Sequence, residues 1–294
     1  MSGVSVLILT KNEENDLPGC MESVIEWCDD IHVYDSFSTD RTVEIASRLG
    51  ARVTRRQFDN WASHQNWGLA NIKFKHEWVL YLDADERITP ALAKEILAAA
   101  AAPGDFVAFD VRRRDFYRER WLKHVQATPY YIRLFKPAYI QYDRLVNPVT
   151  IVNGKKGRLS GYLDHQPFSK GIAHWVSRHN SYSSLEADQL LINESKSEKF
   201  ELSKALLSRN FEVRRYHQKG LFSKLPFRPL LKFFVLYVVR RGFLDGGPGF
   251  SYALLQSIYE YFIVLKVDER LELRNAADPL LQNENRALSG DAQT

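Results

Sequence analysis

Trp78-Val79-Leu80-Tyr81-Leu82-Asp83-Ala84-Asp85-Glu86 is the stretch on which the fold of this chain turns. Five apolar residues in a row read as a buried strand. The run breaks into acidic residues, so its C-terminal tip delivers two carboxylates, Asp83 and Asp85, to a sheet edge. In open α/β sheets, ligands bind outside the carboxyl ends of the strands, and aspartate oxygens there suit Mg²⁺ or Mn²⁺ holding a diphosphate. Asp-x-Asp alone is a weak motif, equally met in solvated turns; the preceding sequence supplies its context.

Upstream, Val4-Ser5-Val6-Leu7-Ile8-Leu9 is a short β-rich run that breaks at Thr10-Lys11-Asn12-Glu13-Glu14-Asn15, a segment rich in helix-capping residues. Leu17 through Ile25 and Trp27 have helical spacing, and Ile31-His32-Val33-Tyr34 forms a second strand ending in Asp35-Ser36-Phe37-Ser38-Thr39-Asp40-Arg41-Thr42. That cluster caps a helix from Val43 to Leu49, stopped at Gly50. Arg52-Val53-Thr54 supplies a third strand, and Asn60 to Asn71 a helix, before the Trp78 strand. The order βαβαβαβ predicts a parallel sheet with right-handed crossovers. It sets three polar strand tips along one edge: Thr10-Asn12-Glu13, Asp35 to Asp40, and Asp83 to Asp85.

Ile8 to Glu13, Val33 to Thr42 and Leu80 to Glu86, in this order and spacing, resemble the inverting glycosyltransferases of family 2. The likeness covers roughly the first hundred residues and continues more weakly through Arg133-Leu134-Phe135. Within the family it is similar to bacterial enzymes that build lipopolysaccharide core, capsule or exopolysaccharide. The resemblance implies the GT-A fold, a Rossmann-like, mostly parallel sheet flanked by helices. It also implies a divalent cation, Mn²⁺ or Mg²⁺, contacted directly by Asp85, with Asp83 beside Ala84 on the ribose and metal shell. Asp35 would accept a hydrogen bond from the base and Thr10 and Glu13 would flank the nucleoside, with Asn12, Ser38 and Asp40 completing the donor-binding set. His165 stands where a histidine can complete the metal shell, and imidazole suits Mn²⁺ better than Mg²⁺.

These residue types answer the chemistry. A departing nucleoside diphosphate accumulates charge on its β-phosphate, which a cation held by Asp83 and Asp85 offsets. A carboxylate reading an imide N–H favours uracil, so a UDP-sugar is the expected donor, with GDP and dTDP open. By residue type alone, Asp35 equally suits a helix-capping turn and Glu13 a first-turn acid near a helix dipole. In many relatives a His-Glu pair, whose Glu is a natural candidate for the general base, falls where Asn147-Pro148 stands here. Inverting transfer still needs a carboxylate or equivalent at the acceptor hydroxyl, for which Asp143 is the candidate upstream and Asp164 the nearest downstream.

With 294 residues and 45% hydrophobic content, the chain can hold one large domain with an appendage. Its two cysteines, Cys20 and Cys28, have no metal-binding spacing and fit a reducing compartment. No charged segment followed by a long apolar one opens the sequence, so the site is expected to face the cytosol. A net charge of +4 implies no general field for nucleic acid. The basic residues are clustered instead: Arg112-Arg113-Arg114, Arg118, Arg120 and Lys123 follow an expected strand, Phe106 to Val111, and interleave with Phe116, Tyr117 and Trp121. As a basic loop this cluster can grip donor phosphate or an anionic acceptor lipid. No nucleic-acid recognition module accompanies it, so nucleic acid is not an expected partner.

The expected division is a nucleotide-sugar half at 1–105, an acceptor half at 106–220, an amphipathic helical hairpin at 221–267 and a polar, partly disordered tail at 268–294 that starts as a frayed helix. The acceptor half includes a hairpin at Gly154-Lys155-Lys156-Gly157. It also includes a helix whose His174, Arg178 and Tyr182 share a face, closing over the diphosphate or packing the helix. In 221–267, Leu230 to Val239 has about ten apolar residues against the roughly twenty that a spanning helix needs. Gln256, Glu260 and Lys266 interrupt Phe250 to Val267. With Lys224, Arg228, Lys232, Arg240 and Arg241 nearby, the pair reads as a membrane-surface hairpin on the cytoplasmic leaflet, or as helices covering the sheet. The expected activity is transfer of a sugar from a nucleotide donor to a lipid-linked glycan or lipopolysaccharide-type acceptor at the inner face of the membrane. Two rivals are a sugar nucleotidyltransferase, which would want a Gly-rich basic loop where Thr10-Lys11-Asn12-Glu13 stands, and an inactive nucleotide-sugar-binding protein.

Overall fold

The computed structural model describes residues 3–143, 149–195, 200–208, 211–222 and 225–277. The chain divides into two compact units, 1–171 and 172–294. The first runs β1 (Val4–Thr10), α1 (Leu17–Glu22), β2 (Ile31–Asp35), α2 (Thr42–Arg48), β3 (Arg52–Arg55), α3 (Trp61–Asn71), β4 (Trp78–Asp83) and β5 (Glu86–Ile88). It continues through α4 (Pro90–Ala101), β6 (Phe106–Tyr117), β7 (Arg120–Trp121), β8 (Tyr130–Phe135), β9 (Ile140–Asp143), β10 (Val149–Val152) and β11 (Lys155–His165).

Strands of the main sheet lie in the order β3-β2-β1-β4-β8-β6-β11-β5, with β7 against β6. The first four are parallel, as the βαβαβαβ order requires. Beyond them β8 runs antiparallel to both β4 and β6, β11 parallel to β6, and β5 antiparallel to β11. The result is a mostly parallel, helix-flanked sheet, the architecture that the family resemblance implies. Val6, Ile8, Val33, Leu80 and Leu82 share one core with Leu17, Met21, Ile45, Leu92 and Ile96 from the helices. Leu7, Tyr34, Val79 and Tyr81 join Ala62, Ile72 and Phe135 in a second. Burial on both faces explains why these strands read as continuous apolar runs.

Helix starts follow the capping residues. The Asn60 side chain accepts from the Ser63 amide at 2.9 Å and Thr89 from the Leu92 amide at 3.3 Å. Before α2, Asp40 accepts from the Thr42 amide at 3.0 Å.

Two local expectations are corrected. The strand expected to end at Val111 continues to Tyr117, because β8, β11 and β7 pair with its basic half; Arg112 to Arg114 are strand residues, not a loop. Nor do Gly154 to Gly157 make a hairpin. β10 pairs with β9 in a separate two-stranded ladder, while β11 joins the main sheet. Gly154 turns between them at φ 154°, where a Cβ would come within 2.7 Å of Val107.

The second unit contains α5 (Gly171–Ser195), α6 (Leu202–Leu207), α7 (Phe211–Phe222), α8 (Arg228–Phe234) and α9 (Gly246–Ala277). A π-helical turn, Val235–Val239, and a 3-10 turn, Gly242–Asp245, connect the last two. Phe250 of α9 packs against Phe233 and Tyr237, and Ser257 donates to the Pro229 carbonyl at 2.6 Å. Arg228 is buried in this pair, 3.7 Å from Glu260, so it is not among the exposed cations; Arg240 and Arg241 are exposed, and Lys224 lies outside the described residues. Helix α9 carries the chain past Asp268 to Ala277, so the polar stretch begins as helix, as expected of it. On α5, buried Trp175 stacks on His179 at 3.5 Å, and Tyr259 of α9 meets that imidazole edge-on. Among the described residues no helix is long and apolar enough to cross a membrane.

Candidate functional site

Register puts the three polar tips level: Thr10 lies opposite Asp35, and Leu9 opposite Asp83. The first two tips are laced together. Asn12 donates its amide to the Ser38 hydroxyl at 2.8 Å, and its side-chain carbonyl accepts from the Thr39 amide at 2.8 Å. Glu13 donates its amide to Thr42 Oγ1 at 2.7 Å, and Glu14 donates to Asp40 at 3.1 Å. Lys11 Nζ binds the carbonyls of Ser36 and Phe37. Phe37 holds a left-handed φ of 58°, unusual for a bulky residue, with Arg55 over its ring at 4.6 Å.

Asp35 is wholly buried at the centre of this lacing. Its Oδ1 accepts from the hydroxyls of Thr10 and Ser38, its Oδ2 from the Ser38 amide, and Arg55 stands 3.5 Å away. In this conformation the carboxylate holds the loop in place, with its oxygens taken up by Thr10, Ser38 and Arg55.

At the third tip the carboxylates sit over a buried charge network. Asp83 pairs with Arg133 at 2.8 Å, and the same guanidinium binds Glu86 at 2.5 Å. Glu86 also accepts from the Asp83 amide at 3.0 Å. Arg113 lies 3.9 Å from Glu86 and 3.1 Å from Asp115, and Asp115 binds His165 Nδ1 at 2.7 Å. The other imidazole nitrogen, Nε2, lies 3.2 Å from Asp85. The Gln166 amide donates to the Asp85 carbonyl at 2.9 Å, tying the end of β11 to the acidic turn. Burial disfavours a charged imidazole, yet Asp85 and Asp115 outweigh it and raise His165 to about 9. Burial raises Glu86 to about 7 against the pull of Arg133. Burial likewise raises Glu13 to about 7 although Lys170 binds it at 2.5 Å, and Ser169 donates to Asp16 at 2.7 Å. The segment after His165 is thereby strapped onto the first strand tip.

Thr10, Asn12, Glu13, Asp35, Ser38 and Asp40 thus form one group, and Asp83, Ala84, Asp85 and His165 another, on neighbouring strand ends. Asp143 lies apart on the β9/β10 ladder with its side chain exposed. Asp164 is tied to Arg114 at 2.6 Å. Asn147 and Pro148 lie outside the described residues. Sequence reasoning missed Asp115, Arg133 and Lys170 as members of the site, placed Arg113 only in a phosphate-gripping basic loop, and gave Glu86 no role. The signal for Arg133 was a lone arginine in an otherwise apolar strand. Asp115 carried none, because its relevance comes from lying opposite His165 in the β6/β11 register.

The donor set fits a divalent cation in part. Nδ1 of His165 faces Asp115 and Nε2 faces Asp85, the arrangement in which a carboxylate orients a ligating imidazole. Among the described residues no three His, Cys, Asp or Glu side chains converge as a complete metal site, so further ligands would come from substrate or water.

The family model for glycosyl transferase family 2 matches residues 5–159. An uncharacterized glycosyltransferase of Rickettsia typhi is 28% identical over 236 residues, covering 75% of this chain and 80% of its own. The lipopolysaccharide core biosynthesis glycosyltransferase LpsC of Rhizobium meliloti is 25% identical over 285 residues, 92% of this chain and 94% of its own. Among solved structures, glucosyl-3-phosphoglycerate synthase from Mycobacterium tuberculosis, in complex with Mn²⁺, UDP-glucose and phosphoglyceric acid, overlaps 40% of this chain at 22% identity and a TM-score of 0.32. The overlap spans 44% of that structure's own length.

Proposed function

This chain belongs to glycosyl transferase family 2, and from that premise we propose that it moves a sugar, with UDP-sugars favoured, to a lipid-linked glycan or lipopolysaccharide-type acceptor at a membrane surface. The observation that carries the donor half is the level alignment of the laced Thr10/Asp35 tips with the Asp85–His165–Asp115 chain. The nucleoside lies against Thr10, Asn12, Glu13 and the Asp35 to Asp40 loop, and the diphosphate lies at Asp83 and Asp85. Asp85 and His165 are the residues that would hold a divalent cation, with Asp83 beside them; bound there, the cation would offset charge on the departing diphosphate. Asp115 keeps the His165 ring oriented, and Arg133 fixes Asp83 and Glu86.

The reaction is a direct displacement. The acceptor oxygen loses its proton to a base and bonds C1 as the bond from C1 to the diphosphate oxygen breaks, inverting the anomeric centre. Asp143 remains the sequence candidate for that base.

The C-terminal pair supports the membrane part of the reading. Leu230, Phe234 and Val238 recur every four residues and are exposed, as are Phe250, Leu254, Ile258, Tyr261 and Leu265 along α9. Leu230 is 68% exposed. Exposed apolar stripes beside Arg240 and Arg241 fit the headgroup boundary of an anionic leaflet.

Incubating the protein with UDP-, GDP- and dTDP-sugars, Mn²⁺ or Mg²⁺ and a bacterial lipid extract tests the assignment. Transfer, or slow donor hydrolysis, that is lost in Asp85→Asn supports it. Absence of both turnover and UDP binding overturns it.

A further inference from the structure

The proposed displacement leaves one built feature unused. Side chains alternate along β6: Arg113 and Asp115 join the buried network, and Arg112 and Arg114 stand on the opposite face of the sheet. There Arg112 lies 5.3 Å from the ring of Tyr130 on β8 and 5.3 Å from that of Tyr162 on β11. Arg114 lies 4.9 Å from Tyr162 and 5.4 Å from Trp121 on β7. Arg158 closes one end at 3.9 Å from Tyr130, and Lys123 the other at 5.5 Å from Trp121. Cations and rings therefore alternate in one stack across four strands.

Its charges are unequally matched. Arg114 is paired with Asp164, and Arg158 lies 3.9 Å from Asp110. Arg112 has no carboxylate partner among the described residues; it donates to the Tyr162 hydroxyl at 3.3 Å, and its buried Nε meets no acceptor. A guanidinium held by rings presents a planar fork that a carboxylate or phosphate fills with two parallel hydrogen bonds. Each ring lies between cations, so what the stack offers a ligand is the guanidinium fork and the solvent-open part of Tyr130 beside it. Tyr130 and Arg158 are open to solvent.

We infer that this stack binds the acceptor, and that the acceptor is a saccharide bearing carboxylate or phosphate groups. The stack ends where the reaction site begins: Arg114 precedes Asp115, and Asp164 precedes His165, on two paired strands. An acceptor of several sugars gripped on Arg112, Tyr130 and Tyr162 extends past the strand ends to present its terminal hydroxyl. The inference rests on the glycosyltransferase reading and adds the class of substrate to it.

Calorimetry on the full chain separates the two. UDP with Mn²⁺ reports the donor site; trigalacturonic acid, mannose 6-phosphate, neutral maltotriose and inorganic phosphate report the stack. Expected is binding of one or both charged sugars at least about tenfold tighter than maltotriose and inorganic phosphate, weakened about tenfold in R112Q and in R112K, which keeps the charge and loses the fork. Donor affinity in both variants stays at the parent value, which shows that they fold. Charged sugars binding no better than maltotriose, inorganic phosphate competing equally, or R112Q leaving their affinity unchanged each overturns the inference, and the stack is then a stiffener of the sheet. Loss of UDP binding with charged-sugar binding intact instead overturns the donor reading and leaves the saccharide site standing.

Discussion

Arg133 is the residue whose removal is expected to do the greatest damage without touching substrate. It is buried, and it binds Asp83 and Glu86 at once. Breaking a buried pair from one side leaves an uncompensated carboxylate, so Arg133→Met should cost about 3 kcal/mol of stability. Adding Glu86→Gln should restore much of that loss, because the orphaned charge is then gone; urea denaturation of the three proteins measures both effects. An unchanged denaturation midpoint in Arg133→Met would show the network to be energetically idle. Glu13 makes a pH prediction of opposite kind. Burial raises its carboxyl to about 7, so the folded state holds a proton that the unfolded chain has lost, and stability falls as pH rises from about 4.5 to 7. Glu13→Gln should flatten that part of the profile in thermal melts taken across the window. A variant profile as steep as the parent's would place the titration elsewhere.

At the scale of elements, the ends of helices and the stacking on them set the expectations. Asn60 caps α3, and replacing it with alanine should cost about 1 kcal/mol, read as a lower denaturation midpoint with unchanged slope. On α5, His179 donates Nδ1–H to the Trp175 carbonyl at 2.8 Å while stacked on that indole, and burial lowers its pKa to about 4. The unfolded chain binds the proton near 6.5, so the contribution of neutral His179 is complete above that pH. It is lost as the pH falls from 6.5 to 4. His179→Gln should remove this acid-side slope in melts followed by circular dichroism; a slope that persists refutes the assignment. The extension of β6 teaches the same dependence on neighbours, since Arg112 to Arg114 become strand through pairing with β8 and β11 despite a composition that reads as loop.

For the whole molecule, the exposed apolar stripes on α8 and α9 have to be accounted for. Leu230→Glu with Phe234→Glu should abolish flotation with vesicles containing phosphatidylglycerol while leaving UDP binding intact. Arg240→Gln with Arg241→Gln should weaken binding to those vesicles and make little difference with neutral ones. A parent protein that does not float with these vesicles, or flotation that survives both pairs of substitutions, overturns the membrane reading of this helical pair.

The sequence by itself determined the parallel half of the sheet and its three polar tips. Apolar runs of strand length, capping residues and their order are local properties, and the right-handed crossover leaves little freedom once they are set. The placement of Thr10, Asn12, Glu13, Asp35, Ser38, Asp40, Asp83 and Asp85 was legible for that reason: Thr10, Asp35 and Asp83 end strands, and the others lie in the turns that follow them. Only the tertiary structure decided what surrounds them. Asp115 reaches His165, and His165 reaches Asp85, through pairings fifty and eighty residues apart. Arg133 meets Glu86 across forty-seven. Arg112 and Arg113, adjacent in sequence, serve opposite faces of the sheet because strand side chains alternate, a division that appears only once β6 is known to run to Tyr117. Charge networks are set by register between distant strands, and register is settled by the packing of the whole sheet.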